Sequence, residues 1–290
     1  MNDKVSALTL AVQESPVHNV RALEALLNLA SKKSRSQAII ALAAIVDLMG
    51  PGLVLPGNRK LVQFHHQPGL VGALQRDRIY TWNLPSKLPE GVAPAHLISW
   101  AYEDWLKAAY FKVVQLLEVW SSDDIDYSRT RSLDFVFGLL REKPEQEVNL
   151  LRLLVNKLGD RDRKLSSRAS HFLLQLQGIH PGMKDVIIRT IEHEVILRPG
   201  QPVRTRYCAV TTLNQTILSS KEAHVSANLL RIFFDMFTAM LGSGEMSSLR
   251  GELSTSTELA NSEALAEKLA SAILTGINRT IPFVDGDEST

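Results

Sequence analysis

The hydrophobic positions of this chain recur at helical spacing over most of its length. Between Leu139 and Lys184, apolar side chains return every three or four residues in two successive stretches. This pattern predicts two amphipathic helices joined by a short charged corner. Gly159 is predicted to end the first helix, and Asp160 or Asp162 to cap the second. Because neither helix can bury its apolar stripe alone, the pair predicts the unit of a helical repeat protein.

The same spacing elsewhere predicts an all-α protein, folded as an irregular, right-handed HEAT/armadillo-like α-solenoid. Ala169–Leu173 and Ala209–Leu213 occupy equivalent second helices about 40 residues apart, which is near the period of such helix pairs. The predicted helices are 3–14, 19–31, 35–49, 95–120, 127–142, 145–158, 162–178, 183–198, 203–218, 223–241 and 258–277.

Proline and glycine divide the chain into predicted parts. Residues 50–94 hold six of the twelve prolines and six glycines, which predicts a long loop insertion without long regular helices. The other predicted parts are N-terminal helices of the solenoid at 1–49, a helical-repeat array at 95–241, a flexible linker at 242–257, a C-terminal helix at 258–277 and an acidic tail at 278–290.

Composition and motifs predict a protein that binds rather than catalyses. Cys208 is the single cysteine, so the chain cannot form an internal disulfide, and no Cys/His spacing suits zinc. The glycine-rich phosphate loop, the dinucleotide fingerprint and the nucleophile elbow are missing from the sequence. His193 lacks the second histidine of a metalloprotease helix, since Leu197 stands four residues later. We therefore predict no enzyme, no metal and no cofactor.

The chain shows no secretion signal and no predicted membrane span. Its N-terminus carries an acidic residue, Asp3, and lacks the uninterrupted apolar core of a signal peptide. The most apolar stretch, Leu229–Leu241, is about 13 residues long and contains two charges, so it is too short to span a bilayer. We interpret it as a helix buried between neighbours.

Charge is distributed unevenly and favours a nucleic-acid face in the middle of the chain. Residues 151–210 carry eleven Lys and Arg against five Asp and Glu, whereas residues 241–290 carry three against eight. Five polar residues recur every three or four positions opposite a leucine stripe and define the basic ridge: Arg161, Lys164, Arg168, His171 and Gln175. Cations there can bind phosphates by displacing counterions, without reading base sequence. The candidate RNA-binding residues are Arg161, Arg163, Lys164, Arg168, Arg204, Arg206, Arg59, Lys60, Lys32, Lys33 and Arg35.

Two structural alternatives remain open for these charges. Asp162 and Arg168 could be repeat-stacking residues, an aspartate cap and an inward arginine ladder, with the other charges merely solvated. The cluster Lys32–Arg35 could serve as a weak nuclear import motif or be the solvated start of a helix.

Several short motifs resemble those of one protein family. LLREKPEQE and LVNKLGDRDRK, followed by HPGMK, lie within Leu139–Lys184 and are similar to a block of the nucleolar complex, or CCAAT-binding-factor, family of ribosome-assembly factors. Five further blocks occur in the order of that family: Ala11–Asn19, Leu26–Lys33, Val54–Leu61, Tyr102–Tyr110 and Ser271–Pro282.

The resemblance implies a non-catalytic scaffold for nucleolar assembly of the large ribosomal subunit, within the pre-60S particle in the nucleus. It implies as partners a second nucleolar complex repeat protein, pre-ribosomal RNA and pre-ribosomal particle proteins. The resemblance also implies that full family members are longer, with a conserved domain after the segment that corresponds to the end of this chain. Two alternatives are a general helical-repeat adaptor between proteins and a CCAAT-type DNA-binding transcription factor. For the latter, the chain offers no zinc module or basic zipper.

Overall fold

The computed structural model of the protein describes residues 2–32, 34–79, 88–242 and 257–284, with the backbone alone for 257–263. Over these residues regular secondary structure is entirely helical, which confirms the all-α prediction. In the described ranges the α-helices are α1 Asn2–Glu14, α2 Val20–Ala30, α3 Arg35–Met49, α4 Pro68–Arg76, α5 Pro94–Ser121, α6 Asp126–Glu142, α7 Glu147–Asn156, α8 Arg163–Ile179, α9 Lys184–Ile191, α10 Val203–Asn214, α11 Ala223–Gly242 and α12 Thr257–Thr280.

Some predictions fall outside the described residues. These are the candidate Lys33, part of the predicted loop at 80–87, most of the predicted linker at 243–256, and the end of the predicted acidic tail at 285–290.

The chain divides into two compact units, Met1–Leu150 and Leu151–Thr290, and the division falls inside α7. In the first unit α1, α2 and α3 pack against one another, α5 pairs with α6, and α3 also contacts α6. Tyr110 and Leu117 of α5 are fully buried, together with Leu42 and Ile45 of α3. The C-terminal half of α5 therefore contributes its apolar side to the core of the first unit.

In the second unit, α8 packs against α10, α9 against α11, and α12 against both α10 and α11. Polar contacts between these helices join residues separated by a nearly constant number of positions. Thr212 Oγ1 donates to Ser170 Oγ at 2.7 Å, 42 positions apart. Arg231 donates to Glu192 at 2.8 Å, 39 positions apart. α8 and the π turn after α9 thus each contact a helix that lies about 40 positions later in the chain.

The predicted loop at 50–94 contains a nine-residue helix, α4. Pro68 stands in its first turn, where the missing N–H costs nothing and the fixed φ favours a helix. Leu70 and Ala73 form its buried side. Counting prolines did not reveal this helix because a proline at the first position starts a helix rather than breaking one.

Several helix ends in the second unit differ from their predicted positions, three of them most clearly. The helix predicted at 183–198 stops as α9 at Ile191 and continues as one π turn, Glu192–Ile196. The helix predicted at 203–218 stops at Asn214, because Arg279 donates to the carbonyls of Asn214 and Thr216 and holds the chain in a turn. The last helix runs to Thr280 rather than residue 277.

Thr280, in the extra turn of α12, is buried in a segment that we predicted as tail. Thr280 is 2% exposed, and one turn earlier Gly276 lies where a Cβ atom would come within 2.5 Å of Asn214 Oδ1. Glycine is therefore required for the close approach of α12 to α10. The motif Ser271–Pro282 consequently has a packing role.

By length and composition alone, Ser220–Gly242 could cross a membrane. In the structure α11 packs against α12, and its Arg231 is ion-paired with Glu192 and Asp235. We interpret α11 as a core helix of the second unit.

Candidate nucleic-acid interface

The corner between α7 and α8 positions the basic ridge. Asp162 is the N-cap of α8, and its carboxylate accepts the backbone N–H of Lys164 at 2.9 Å. Asp160 accepts the backbone N–H of Asp162 at 2.9 Å and the ammonium of Lys157 at 3.0 Å. The cap predicted from sequence is therefore Asp162, while Asp160 stabilises the turn before it.

Gly159 lets this corner approach α10 closely. A Cβ atom at Gly159 would lie 2.9 Å from Cγ2 of Thr205, which is buried. Arg204 spans the same junction, since its guanidinium donates to the carbonyls of Arg161 at 3.1 Å and Asp160 at 3.3 Å. The start of α10 is thus bound to the start of α8.

The basic ridge lies on the exposed side of α8. All five of its residues, from Arg161 to Gln175, are exposed, while Leu165, Ala169 and Leu173 on the opposite side are buried. Arg163 is exposed beside the ridge, and neither it nor Lys164 forms a side-chain ion pair with a described residue. The guanidinium of Arg168 lies over the ring of Phe172, 5.3 Å from its centre. Arg168 is exposed and therefore does not belong to an inward-facing arginine ladder.

The electrostatics of α8 and α10 are one-sided. Neither helix contains an aspartate or a glutamate, and together they carry five cations: Arg163, Lys164, Arg168, Arg204 and Arg206. The two carboxylates at the corner are already engaged by Lys157 and by backbone N–H groups. This face can therefore attract an anion and would repel a basic ligand.

Arg206 differs from the other candidates in the second unit. It lines a cavity of about 270 Å³ together with Glu192, Met236, Met240 and Leu269. The structure places it toward α11 and α12 and away from the ridge. Arg204, in contrast, lies at the corner beside Arg161.

The candidates in the first unit mostly have carboxylate partners. Arg35 binds Asp123 through two hydrogen bonds of 2.8 and 3.0 Å. Lys60 binds Glu147 at 2.6 Å, and Arg59 forms an ion pair with Glu103. Lys32 is exposed. These pairs give Arg35, Arg59 and Lys60 a structural role that counting charges did not predict.

The clamp around Leu61, formed by Glu103, Asp104 and Glu145, is a feature that sequence reasoning missed. Glu145, which is 2% exposed, accepts the N–H of Leu61 at 2.6 Å. Glu103 accepts the N–H of Val62 at 2.9 Å, and Asp104 that of Phe64 at 3.1 Å. Glu103 and Asp104 thus fix the predicted loop to α5, and Glu145 fixes it to the segment between α6 and α7.

Burial of Glu103 works to raise its pKa, but Arg59, the N–H of Val62 and the amide of Gln67 outweigh that effect and hold the pKa below its ordinary value. Glu103 is therefore ionised in the folded state. The adjacent acidic residues Glu103 and Asp104 were the one sign of the clamp in the sequence. The backbone N–H groups that they accept lie about 40 positions earlier in the chain, so the sequence did not reveal the pairing.

A second missed feature is the α8–α10 groove, which runs beside the basic ridge. Its volume is about 260 Å³, and it is lined from both helices by Ser167, Ser170, His171, Tyr207, Cys208 and Thr211, among others. His171 belongs to both the groove and the ridge. Among the described residues, no group of three or more His, Cys, Asp or Glu side chains is arranged to hold a metal ion.

No protein-family model matches the chain. Over its whole length it is 56% identical to "Ribosome biogenesis protein NOC1" of Chaetomium thermophilum, covering 29% of that protein. It is 32% identical to human "CCAAT/enhancer-binding protein zeta" over 98% of the chain and 24% of the relative. It is 28% identical to "Nucleolar complex protein 1" of Drosophila melanogaster over 85% of the chain and 20% of the relative. The chain thus spans less than a third of the length of these relatives.

Proposed function

This chain belongs to the nucleolar complex, or CCAAT-binding-factor, family, and from that premise we propose that it is a non-catalytic scaffold in ribosome biogenesis. It acts in the nucleolus, on precursors of the large subunit. The names of the Chaetomium and Drosophila relatives support the process and the location. Its proposed partners are a second nucleolar complex repeat protein, pre-ribosomal RNA and proteins of the pre-ribosomal particle.

The one observation that carries RNA binding is the basic ridge on a face without carboxylates. Arg161, Lys164 and Arg168 are exposed, and α8 and α10 hold only cations among their charged residues. A polyanion gains affinity there because each bound phosphate releases a condensed counterion. Because phosphates repeat along an RNA strand, several such contacts can form along the ridge without base readout.

We also propose that the second unit is part of an irregular HEAT/armadillo-like α-solenoid. Support comes from the contacts of α8 with α10 and of α9 with α11, which join residues about one predicted period apart. Such stacking presents broad surfaces, and a scaffold needs surface rather than a reactive pocket.

The test is charge reversal on the ridge. The triple variant Arg161→Glu, Lys164→Glu and Arg168→Glu should keep its helix content by circular dichroism and bind single-stranded RNA more weakly. Each lost phosphate contact should flatten the plot of log affinity against log salt by ~0.7. Fluorescence anisotropy with a labelled oligonucleotide, titrated at several salt concentrations, measures this slope.

A matched control reverses three exposed cations of the first unit, Lys4, Arg21 and Lys112, to glutamate. It changes the net charge equally and should leave the slope nearly unchanged. Equal slopes for the two triple variants would show that only net charge matters, which would reject the ridge as the RNA face.

The adaptor alternative has its own support in the second unit. Phe234 and Leu241 of α11 are 48% and 53% exposed, and Leu274 of α12 is 46% exposed. Most of the apolar stripe of α12 is used internally, since Leu269 and Ile273 are buried. A chain that binds a partner repeat protein but no RNA would favour this alternative.

A further inference from the structure

We infer that the α8–α10 groove is a base-binding site, which takes one unstacked nucleobase of a single strand whose phosphates lie along the basic ridge. This inference rests on the proposed function, because it adds to the ridge a means of distinguishing single-stranded from duplex RNA.

The floor of the groove is closed by contacts between the two helices. Thr212, which is fully buried, donates to Ser170 Oγ at 2.7 Å, and Ser166 Oγ lies 3.7 Å from Cys208 Sγ. These contacts hold α8 and α10 together beneath the opening. The opening lies above these contacts, so binding would not have to separate the two helices.

The walls offer polar groups that the protein itself does not use. Within the described residues, the hydroxyls of Ser167, Tyr207 and Thr211 and the amide of Gln215 make no hydrogen bond to the protein. Each can donate and accept, as the edge of a nucleobase requires. Tyr207 also offers an aromatic face, on which any base can stack.

Size and charge select the ligand. A volume of about 260 Å³ lies below the roughly 300–1,000 Å³ of sites for drug-sized ligands. The groove therefore has room for one small ring system and none for a duplex. Because α8 and α10 carry no carboxylate, a basic peptide finds no counter-charge on either wall. An anionic ligand finds Lys164 and Arg168 on the adjoining ridge.

The geometry connects groove and ridge through one residue. His171 lines the groove and is also a member of the ridge, one helical turn after Arg168. A strand whose backbone follows the ridge would thus pass the opening, and a base turned toward the protein would enter it. Duplex RNA keeps its bases stacked inside and presents mainly phosphates and 2′-hydroxyls, so it would gain nothing from the groove.

The first experiment uses Cys208 as a reporter. It is the single cysteine of the chain, is half-buried and lines the groove, so alkylation of its thiol by a maleimide measures how accessible the groove is. Single-stranded RNA should slow the alkylation in proportion to the fraction of protein bound, with the largest effect at saturation. An abasic strand of the same length, which keeps the phosphates, should bind the ridge and leave the alkylation rate nearly unchanged.

The second experiment removes the stacking platform. Tyr207→Leu should weaken binding of single-stranded RNA by roughly 5- to 100-fold, the loss that corresponds to one base–aromatic stack. It should not change binding of the abasic strand or of a duplex. Tyr207→Phe, which keeps the ring, should retain most of the affinity. Tyr127→Leu, at a tyrosine that is 62% exposed in the first unit, is the matched control and should have no effect.

Ser167→Trp provides a variant that removes no packing contact. Ser167 is exposed at the rim, and an indole there should fill the opening and reproduce the loss seen with Tyr207→Leu while leaving helix content unchanged.

Each outcome decides the inference. The base-binding role of the groove would be rejected if intact and abasic strands protected Cys208 equally. It would also be rejected if Tyr207→Leu weakened the binding of both strands equally. Either result would leave the ridge as the RNA face. An acidic peptide that protects Cys208 and depends on Tyr207, where RNA does not, would also overturn it and assign the groove to a protein. Absence of any salt-dependent RNA binding would reject the proposed function as well.

Discussion

The two units use similar basic residues for opposite purposes. In the first unit Arg35, Arg59 and Lys60 each contact a carboxylate from another part of the chain. In the second, Arg163 and Lys164 stand on a helix without carboxylates and form no side-chain ion pair with described residues. A cation that holds a loop in place and a cation that can receive a phosphate therefore look alike in sequence.

The difference lies in what each acidic residue does. The carboxylates of the clamp around Leu61 are buried or half-buried and bind backbone N–H groups, so they attract nearby cations into the structure. The aspartates at the corner before α8 are engaged by backbone N–H groups and by Lys157. The acids of the clamp therefore bind the loop, whereas the corner aspartates cap α8 and close its turn, and the two units should respond differently to mutation.

The largest expected effect is on the clamp. Glu145→Ala removes the acceptor of the Leu61 N–H and the partner of Lys107, and it leaves the buried N–H without a hydrogen bond. The free energy of unfolding should fall by about 3 kcal/mol. Chemical denaturation followed by circular dichroism measures the change.

Glu147→Ala is the matched control, since Glu147 is half-exposed and pairs with Lys60 at the surface. It should cost less than about 1 kcal/mol. Neither variant should change RNA affinity. Equal destabilisation by the two, or a loss of RNA binding in Glu145→Ala, would contradict the division of roles between the units.

Local features of this chain could be predicted from sequence. The stripes of α5, α8 and α11 follow from apolar periodicity, and the Asp162 cap lies within two residues of the N–H that it accepts. The exposure of the ridge follows from the same period, because the leucines opposite it must be buried. These predictions needed no knowledge of the rest of the fold.

Contacts between distant residues could not be predicted in this way. Arg59 and Glu103 are 44 positions apart, and Leu61 and Glu145 are 84 apart. The α8–α10 groove needs two helices whose register is set only when Ser170 meets Thr212. A single sequence records each partner without recording the pairing, so the clamp and the groove became visible only in the structure.

A smaller effect is expected at the corner, where one aspartate acts on both stability and charge. Asp162→Ala removes the N-cap of α8 and should lower the free energy of unfolding by about 1 kcal/mol. It also removes a negative charge beside the ridge, so RNA affinity should rise by roughly two- to fivefold at low salt. Thermal unfolding and anisotropy titrations measure the two changes on the same sample.

Asp162→Asn separates these effects, because asparagine caps a helix as well as aspartate does but carries no charge. Stability should stay near that of the unmodified protein while RNA affinity still rises. A fall in RNA affinity with either variant would mean that Asp162 orders the ridge for binding rather than weakening it by repulsion.

The smallest expected effect is a pH dependence in the first unit. Arg35, and after it the backbone N–H of Ile125, lower the pKa of Asp123 from 3.8 to about 2. A carboxylate with a lowered folded-state pKa stabilises the protein above its unfolded pKa, and this stabilisation is lost as the pH falls toward the folded value. Between pH 5 and pH 3 the urea midpoint should therefore fall, and the fall should be small because Arg35 is exposed and solvent screens the pair. Arg35→Gln should make that fall shallower, whereas Arg21→Gln, at another exposed arginine of the first unit, should not. Identical pH profiles for the two variants would show that Asp123 gains nothing from Arg35, and the contrast with the ridge would then hold only for Arg59 and Lys60.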